Sequence, residues 1–70
     1  MELSMANRER LERVLAHLNP HTGAAEIRHD GYLWIRSRPT TTWHRMVRIR
    51  GRELRAATAW VAAYMQGTHG

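Results

Sequence analysis

Residues 26–50 read EIRHDGYLWIRSRPTTTWHRMVRIR, and this stretch decides the fold of the 70-residue chain. It contains three runs in which apolar residues alternate with polar, mostly basic residues, and two turn signals separate the runs. Successive side chains of a β-strand point to opposite faces of a sheet, so the alternation predicts one apolar face and one basic, aromatic face. We therefore predict an antiparallel meander of three strands, over about residues 24–29, 32–38 and 43–50.

The dipeptide Asp30-Gly31 is a strong hairpin signal, and the length of its loop sets which residues face each other. A two-residue loop would mix charged with aliphatic residues on both faces of the hairpin. A three-residue loop that includes His29 pairs Ile27 with Leu33 and separates the apolar from the polar residues. Gly31 would then be the left-handed residue that ends a type I turn and forms a bulge. We predict the three-residue loop.

The same separation extends to the third strand if Leu33 pairs with Ile49 and Ile35 with Val47. Arg45 is at an odd-numbered position, like the residues of the predicted apolar face. We therefore expect it near a sheet end or with its charged end turned toward water. The predicted buried face consists of Ala25, Ile27, Leu33, Ile35, Val47 and Ile49, with Trp43 at its edge.

A helix is predicted on each side of this stretch in the chain. The first covers about residues 5–18 after a frayed lead-in, with Ser4 or Asn7 as N-cap, and Asn19-Pro20 stops it. Its apolar stripe is Leu11, Val14, Leu15 and Leu18. The second covers about residues 52–66, followed by Gly67 and a tail of residues 68–70. Its inner face is Leu54, Ala57, Thr58, Val61 and Met65, with Tyr64 beside it.

These elements predict a single α+β domain over residues 1–70, in the order α-β-β-β-α. The fold is a three-stranded antiparallel meander with two helices packed on one face, because one face of the sheet and one stripe of each helix need burial. The outer face of the last helix carries few charges, which favours a contact between two copies of the chain, although alanine's helix propensity also explains it. The candidate dimer contact is Ala56, Ala59, Trp60 and Ala63.

The composition favours a polyanionic partner. The formal net charge is +5, there is no cysteine, and all eleven basic residues are arginine. Such a charge attracts nucleic acid, RNA or DNA, or an acidic protein surface. No apolar run is long enough to span a bilayer and the N-terminus lacks the layout of a signal peptide, so we expect no membrane association and a cytoplasmic protein.

The open face of the sheet is the first candidate site. Exposed rings between guanidinium groups are typical of single-stranded nucleic-acid binding, in which bases stack on rings and arginines contact phosphates. Two other interpretations stay open: a face covered by another protein, and a plain solvated surface on which Trp34 packs under Arg48. The predicted face carries Arg28, Tyr32, Trp34, Arg36, Arg38, His44, Met46, Arg48 and Arg50.

A second basic cluster runs from Arg48 to Arg55, across the boundary between the last strand and the last helix. Backbone amides at a helix start favour anions, and Arg52 and Arg55 stand beside them. Phosphate contact is one interpretation of this cluster, and an ordinary exposed helix start is the other.

The five histidines do not indicate a metal site, because no two of them have a metal-ligand spacing and there is no cysteine partner. Neither paired carboxylates nor a nucleophile next to a base stand out, so we predict no catalytic residues and no cofactor. Thr40-Thr41-Thr42 is interpreted as a polar loop.

The order of elements resembles the double-stranded-RNA-binding domain over most of the chain. In that family the second helix starts with a basic phosphate-contacting site followed by alanines, and Arg52, Arg55 and Ala56-Ala57 are similar to it. The family's lysine cluster and its Gly-Pro-x-His hairpin motif are absent here. The helix–hairpin–helix plan is also similar to small phage head–tail joining proteins. From all of this we predict a non-enzymatic nucleic-acid-binding module, with a small phage-type adaptor or inhibitor of an acidic protein as the alternative.

Overall fold

The structure of the protein, a computed structural model, describes residues 2–67. Its elements are α1 (Met5–Leu15), β1 (Ala24–Ile27), β2 (Tyr32–Arg36), β3 (His44–Arg48), a 3₁₀ turn (Gly51–Glu53) and α2 (Leu54–Gly67). The strands form one antiparallel sheet in the order β1-β2-β3. The predicted α-β-β-β-α fold is confirmed. The predicted strands were each two or three residues too long, and the predicted tail lies outside the described residues.

Helix α1 begins at a side-chain cap and ends earlier than predicted. Ser4 is the N-cap, and its hydroxyl oxygen accepts a hydrogen bond from the Asn7 N–H at 3.3 Å. After Leu15 the chain continues as a turn in which the Leu18 N–H donates to the Leu15 carbonyl at 3.0 Å. This hydrogen bond joins residues three apart, instead of four apart as in an α-helix. The helix therefore ends before Asn19-Pro20.

The first hairpin has the predicted register. Ile27 lies opposite Leu33, and just beyond β1 the Arg28 N–H donates to the Tyr32 carbonyl at 3.1 Å, which leaves a three-residue loop over residues 29–31. Gly31 has a φ of +86°, and a β-carbon there would lie 3.0 Å from the carbonyl oxygen of Ile49. Gly31 also accepts a hydrogen bond from the Ile49 N–H at 2.7 Å. Both the left-handed backbone and the close approach of the third strand therefore require glycine here.

The predicted register between β2 and β3 is wrong, because β3 is shifted by two residues relative to the predicted pairing and also contains a bulge. Tyr32 pairs with Arg48, but Trp34 pairs with Arg45. Met46 and Val47 consequently face a single residue of β2. An extra residue in one strand moves every residue before it to the other face, so the start of β3 is turned over relative to the prediction.

The bulge changes which side chains share a face. Arg45 lies opposite Trp34, on the basic face of the sheet and not on the apolar face. Trp43 also contacts arginines of the basic face, so its predicted place at the edge of the buried face is wrong. His44 pairs with Ile35 and therefore shares the apolar parity, although it is exposed at the strand end.

The core lies between the sheet and both helices, which pack on the same side. Helix α1 packs against β3 and α2 packs against β1. Leu3 belongs to this core and is not part of a frayed lead-in; Met1 lies outside the described residues. The buried apolar residues are Leu3, Leu11, Leu15, Leu33, Ile49, Ala57 and Val61.

Helix α2 buries Ala57 and Val61 as predicted, but its packed stripe also includes Trp60 and leaves out Thr58. Trp60 is partly buried against the core, and its ring lies 5.3 Å from that of Tyr64. Thr58, predicted on the inner face, is exposed and its hydroxyl donates to the Leu54 carbonyl at 2.8 Å. Gly67 was predicted to follow the helix, but it is the last residue of α2. No helix within residues 2–67 is long and apolar enough to cross a membrane.

Candidate functional site

The side of the sheet turned away from the helices is the candidate site, and we call it the open face. Strand pairing and ring contacts place on it side chains from all three strands and from the residue before β3. Its members are Glu26, Arg28, Tyr32, Trp34, Arg36, Trp43, Arg45 and Arg48. Arginines and aromatic rings make up all of this set except one residue, so the open face is both cationic and rich in planar groups.

Four planar side chains form an alternating series across the open face, which we call the Arg–Trp column. The guanidinium carbon of Arg36 lies 4.9 Å from the centre of the Trp43 ring. The guanidinium carbon of Arg28 lies 5.0 Å from the same ring and 4.4 Å from the ring of Trp34. One guanidinium therefore contacts two tryptophans, and one tryptophan contacts two guanidinium groups. Each such contact at an exposed site stabilises by about 0.5–1 kcal/mol.

Tyr32 forms a second aromatic centre next to the column. The guanidinium carbons of Arg45 and Arg48 lie 4.6 Å and 5.8 Å from the centre of its ring. Both arginines are exposed and come from β3, on either side of the bulge. The bulge thus brings two cations to one ring.

Asp30, in the hairpin loop, holds the indole of Trp34. Its carboxylate accepts the Tyr32 N–H at 2.9 Å and the indole N–H of Trp34 at 3.0 Å. These hydrogen bonds, with that from the Tyr32 backbone the largest, lower the pKa of Asp30, and the charges of Arg45 and His29 act in the same direction. The carboxylate stays ionised and fixes the orientation of the ring.

The open face has more positive than negative charge. Glu26 contacts Arg28 at 3.6 Å, and Asp30 lies at the hairpin end of the face. Four guanidinium groups stand against these two carboxylates. The Nε atom of Arg36 is buried and has no hydrogen-bond partner among residues 2–67, and the guanidinium stacks on Trp43. Such a surface is suited to planar, anionic ligands.

The structure brings together five of the nine residues predicted to bind a partner, namely Arg28, Tyr32, Trp34, Arg36 and Arg48. One interpretation of the sequence had Trp34 packing under Arg48. In the structure Arg28 covers Trp34, and Arg48 contacts Tyr32 instead. The other four are exposed and outside the ring contacts of residues 2–67. Arg38 lies in the turn after β2, and Arg50, Arg52 and Arg55 lie around the start of α2.

Sequence reasoning missed Trp43 and Arg45. The odd-numbered positions carry Trp43 and Arg45 and then change to the apolar Val47 and Ile49. A one-residue bulge turns over the residues before it. Along the odd-numbered positions, residues before the bulge therefore lie on one face of the sheet and residues after it on the other. The charged Arg45, at a position where the predicted strand requires an apolar residue, is the feature of the sequence that indicates the bulge.

A polar cavity of about 190 Å³ lies between the hairpin loop and the 3₁₀ turn. Arg48 and Arg50 line it, so it is continuous with the cations around Tyr32. Arg50 precedes the 3₁₀ turn, and no side chain caps this start. The lining residues are His29, Asp30, Gly31, Arg48, Ile49, Arg50, Gly51 and Leu54. A second cavity, of about 210 Å³, is mostly apolar and lies where Leu15 and Leu18 approach Tyr64 and Met65.

The predicted dimer face is divided by the packing of α2. Ala56 and Trp60 are partly buried against the core, whereas Ala59 and Ala63 are exposed. The candidate contact between two copies is therefore limited to the small exposed side chains. Within residues 2–67 no three His, Asp or Glu side chains are grouped as a metal site would need, and His69 lies outside that range.

Comparison of the chain with protein-family models, with curated proteins and with solved structures finds no match. The geometry of the open face is therefore the basis for any functional conclusion.

Proposed function

We propose that this protein is a non-enzymatic nucleic-acid-binding module that binds single strands on the open face of its sheet. The observation that carries the proposal is the Arg–Trp column beside Tyr32 and its two arginines. Bases stack on aromatic rings and guanidinium planes, and arginines contact phosphates, so this surface offers both kinds of contact at once.

The rings of the open face favour a single strand over a duplex. They stand on one face of a three-stranded sheet. A paired base in a duplex is already stacked on its neighbours, whereas an unpaired base has a free face for Trp34, Trp43 or Tyr32. RNA and DNA both offer that face, so the proposal covers either.

Phosphate contacts have two sources next to the rings. Arg45 and Arg48 are exposed beside Tyr32, and Arg48 leads into the polar cavity that Arg50 also lines. A strand whose bases stack on the column would pass its phosphates along this edge. The net charge of +5 attracts it from a distance.

The test measures fluorescence anisotropy of labelled single-stranded and duplex DNA and RNA between about 50 and 200 mM salt. We expect single strands to bind more tightly than duplexes, with an affinity that falls steeply as salt rises. Replacing Arg45 and Arg48 by alanine should lower the slope of log affinity against log salt by about 1.4, because each phosphate contact to a single strand contributes about 0.7.

The matched control replaces Arg8 and Arg13, which are exposed on α1, by alanine and changes the net charge equally. An equal effect of both double variants would show that net charge alone drives binding and would overturn the assignment of the open face. The absence of binding to every nucleic acid at low salt would overturn the proposal itself and favour the acidic protein partner.

A further inference from the structure

We infer that Trp34 and Trp43 form a slot for one unpaired nucleobase, and that the guanidinium of Arg28 fills this slot in the free protein. The inference rests on the proposed function and adds to it the subsite, its ligand and the side chain that the ligand displaces. Arg28 thus acts as an internal competitor of the bound base.

The contacts of Arg28 place it in the position that a stacked base would take. Its guanidinium lies over the ring of Trp34 at 4.4 Å and over that of Trp43 at 5.0 Å. A guanidinium and a nucleobase are both planar and both stack on indole. A site that holds one planar group against two rings has the shape that a base requires.

The two rings have supports that do not depend on Arg28. The indole N–H of Trp34 donates to the carboxylate of Asp30 at 3.0 Å. Trp43 is contacted by Arg36, whose guanidinium carbon lies 4.9 Å from its ring. The walls of the slot are therefore expected to keep their places when Arg28 moves out.

Arg28 is held loosely enough to be displaced. About a third of its side chain is exposed, and its contact with Glu26 is a single pair at 3.6 Å on the surface. Exposed ion pairs contribute little, and a base stacked on an aromatic ring is held more strongly than an exposed guanidinium on such a ring. Once displaced, the guanidinium is free to contact the phosphate of the incoming nucleotide.

The charge around the slot selects the class of ligand. Arg36 contacts Trp43, and Arg45 pairs with Trp34 across the strands, so a cationic ligand such as a methylated lysine would meet repulsion. A nucleotide presents a neutral base to the rings and an anionic phosphate to the arginines. The slot therefore favours a base attached to phosphate.

The experiment compares an intact single-stranded DNA oligonucleotide with one in which the central nucleotides are abasic, so that the phosphates are retained and the bases are absent. The parent protein should bind the intact strand about 5- to 150-fold more tightly for each base that stacks. Trp43→Ala should lower this ratio by the factor that belongs to one stacked base, because Trp34 and Tyr32 remain. Arg28→Ala should raise it, because the base no longer displaces a guanidinium, although both strands lose one phosphate contact.

Tryptophan fluorescence gives a second readout. The chain has three tryptophans, and Trp60 packs against the core beside Tyr64, on the opposite side of the sheet from the open face. A Trp60→Phe variant emits only from Trp34 and Trp43, and we expect the intact strand, but not the abasic strand, to quench this emission. Circular dichroism shows whether each variant is folded. If Trp43→Ala does not fold, Arg28→Ala still tests the slot. Arg28 lies at the edge of the sheet, so we expect that variant to fold.

The two proposals fail in different ways. Equal binding of intact and abasic strands by the parent would overturn the slot and leave phosphate-driven binding in place. A ratio that exceeds one but does not change in Arg28→Ala would overturn the role of Arg28 as a competitor. No binding of either strand at low salt would overturn the proposed function, and the slot with it.

Discussion

At the scale of single residues, Glu53 joins the two ends of the fold. Its carboxylate accepts the backbone N–H of Ser4, and it accepts the side-chain N–H of Asn7 at 3.0 Å. One carboxylate thus holds the start of α1 against the 3₁₀ turn before α2. The hydrogen bond from the Ser4 backbone is the largest cause of a lowered pKa of Glu53, and the contacts with the side chains of Ser4 and Asn7 add to it.

The lowered pKa predicts how stability depends on pH. A carboxylate whose pKa is lower in the folded than in the unfolded chain stabilises the fold above its ordinary pKa of 4.5, and this contribution is lost as pH falls through the folded value. Glu53→Gln should therefore lower the melting temperature at neutral pH and make its fall on acidification shallower. Thermal unfolding followed by circular dichroism at a series of pH values measures both effects.

Glu9→Gln is the control for this prediction, because Glu9 is exposed on α1. It should melt like the parent at neutral pH and on acidification. If Glu53→Gln also did so, the carboxylate would not be holding the two helix starts together.

At the scale of elements, the bulge in β3 decides what the open face contains. Without it, Trp43 and Arg45 would lie on the same parity as Val47 and Ile49, against the helices. Burying a guanidinium there without a partner would cost several kcal/mol, on the order estimated for unpaired buried charges. The extra residue lets Val47 pack against the core while Arg45 reaches the ring of Tyr32.

Two deletions test this account of the bulge. Met46 is 46% exposed whereas Val47 packs against the core, so we assign Met46 as the extra residue and expect its deletion to leave Arg45 opposite Trp34 in a regular strand. We expect that variant to fold, with a loss of less than about 2 kcal/mol of unfolding free energy. Deletion of His44 instead moves Trp43 to the helix-facing parity and breaks the Arg–Trp column.

Urea unfolding measures the stability of both deletion variants, and the wavelength of tryptophan emission shows whether Trp43 has changed its environment. The emission maximum should stay close to that of the parent when Met46 is deleted and shift when His44 is deleted. The reverse pattern would contradict the assignment of Met46 as the extra residue.

At the scale of the whole molecule, the two sides of the sheet are unlike. The helices and the core occupy one side, and the cationic open face occupies the other, in a body that measures 33 × 25 × 17 Å. A thin domain of this kind has the open face on one broad side and the helices outermost on the opposite side. A second copy of the chain would have to contact either the open face, where like charges repel, or the outer stripe of α2.

The packing of α2 predicts that the isolated protein is a monomer. With Trp60 partly buried, the exposed outer stripe consists of small side chains such as Ala59, Ala62 and Ala63. Each alanine offers only a methyl group to a partner, whereas a stable interface buries roughly 800 Å² per partner. Light scattering at high protein concentration should return the mass of one chain. A dimer that Ala59→Glu dissociates would contradict this and restore the predicted dimer contact.

The first hairpin shows how far local chemistry can be followed from the sequence. Alternation assigned the three strands, the helical spacing of leucines assigned α1, and Gly31 set the loop between β1 and β2. All of these depend on contacts between residues that are close along the chain. The composition of the open face was predicted in part for the same reason, because Arg28, Tyr32, Trp34 and Arg36 lie on either side of that loop.

The sequence by itself thus determined the order of elements, the first register and the existence of a cationic aromatic face. Only the tertiary structure decided the place of Trp43 and Arg45, the burial of Trp60 and the contact of Arg28 with two rings. The connection over residues 37–43 is too long for turn chemistry to fix the register of β3, so the register is set by packing against the helices and by Gly31. Which ring each arginine covers then follows from the distances between strands, which alternation alone does not contain.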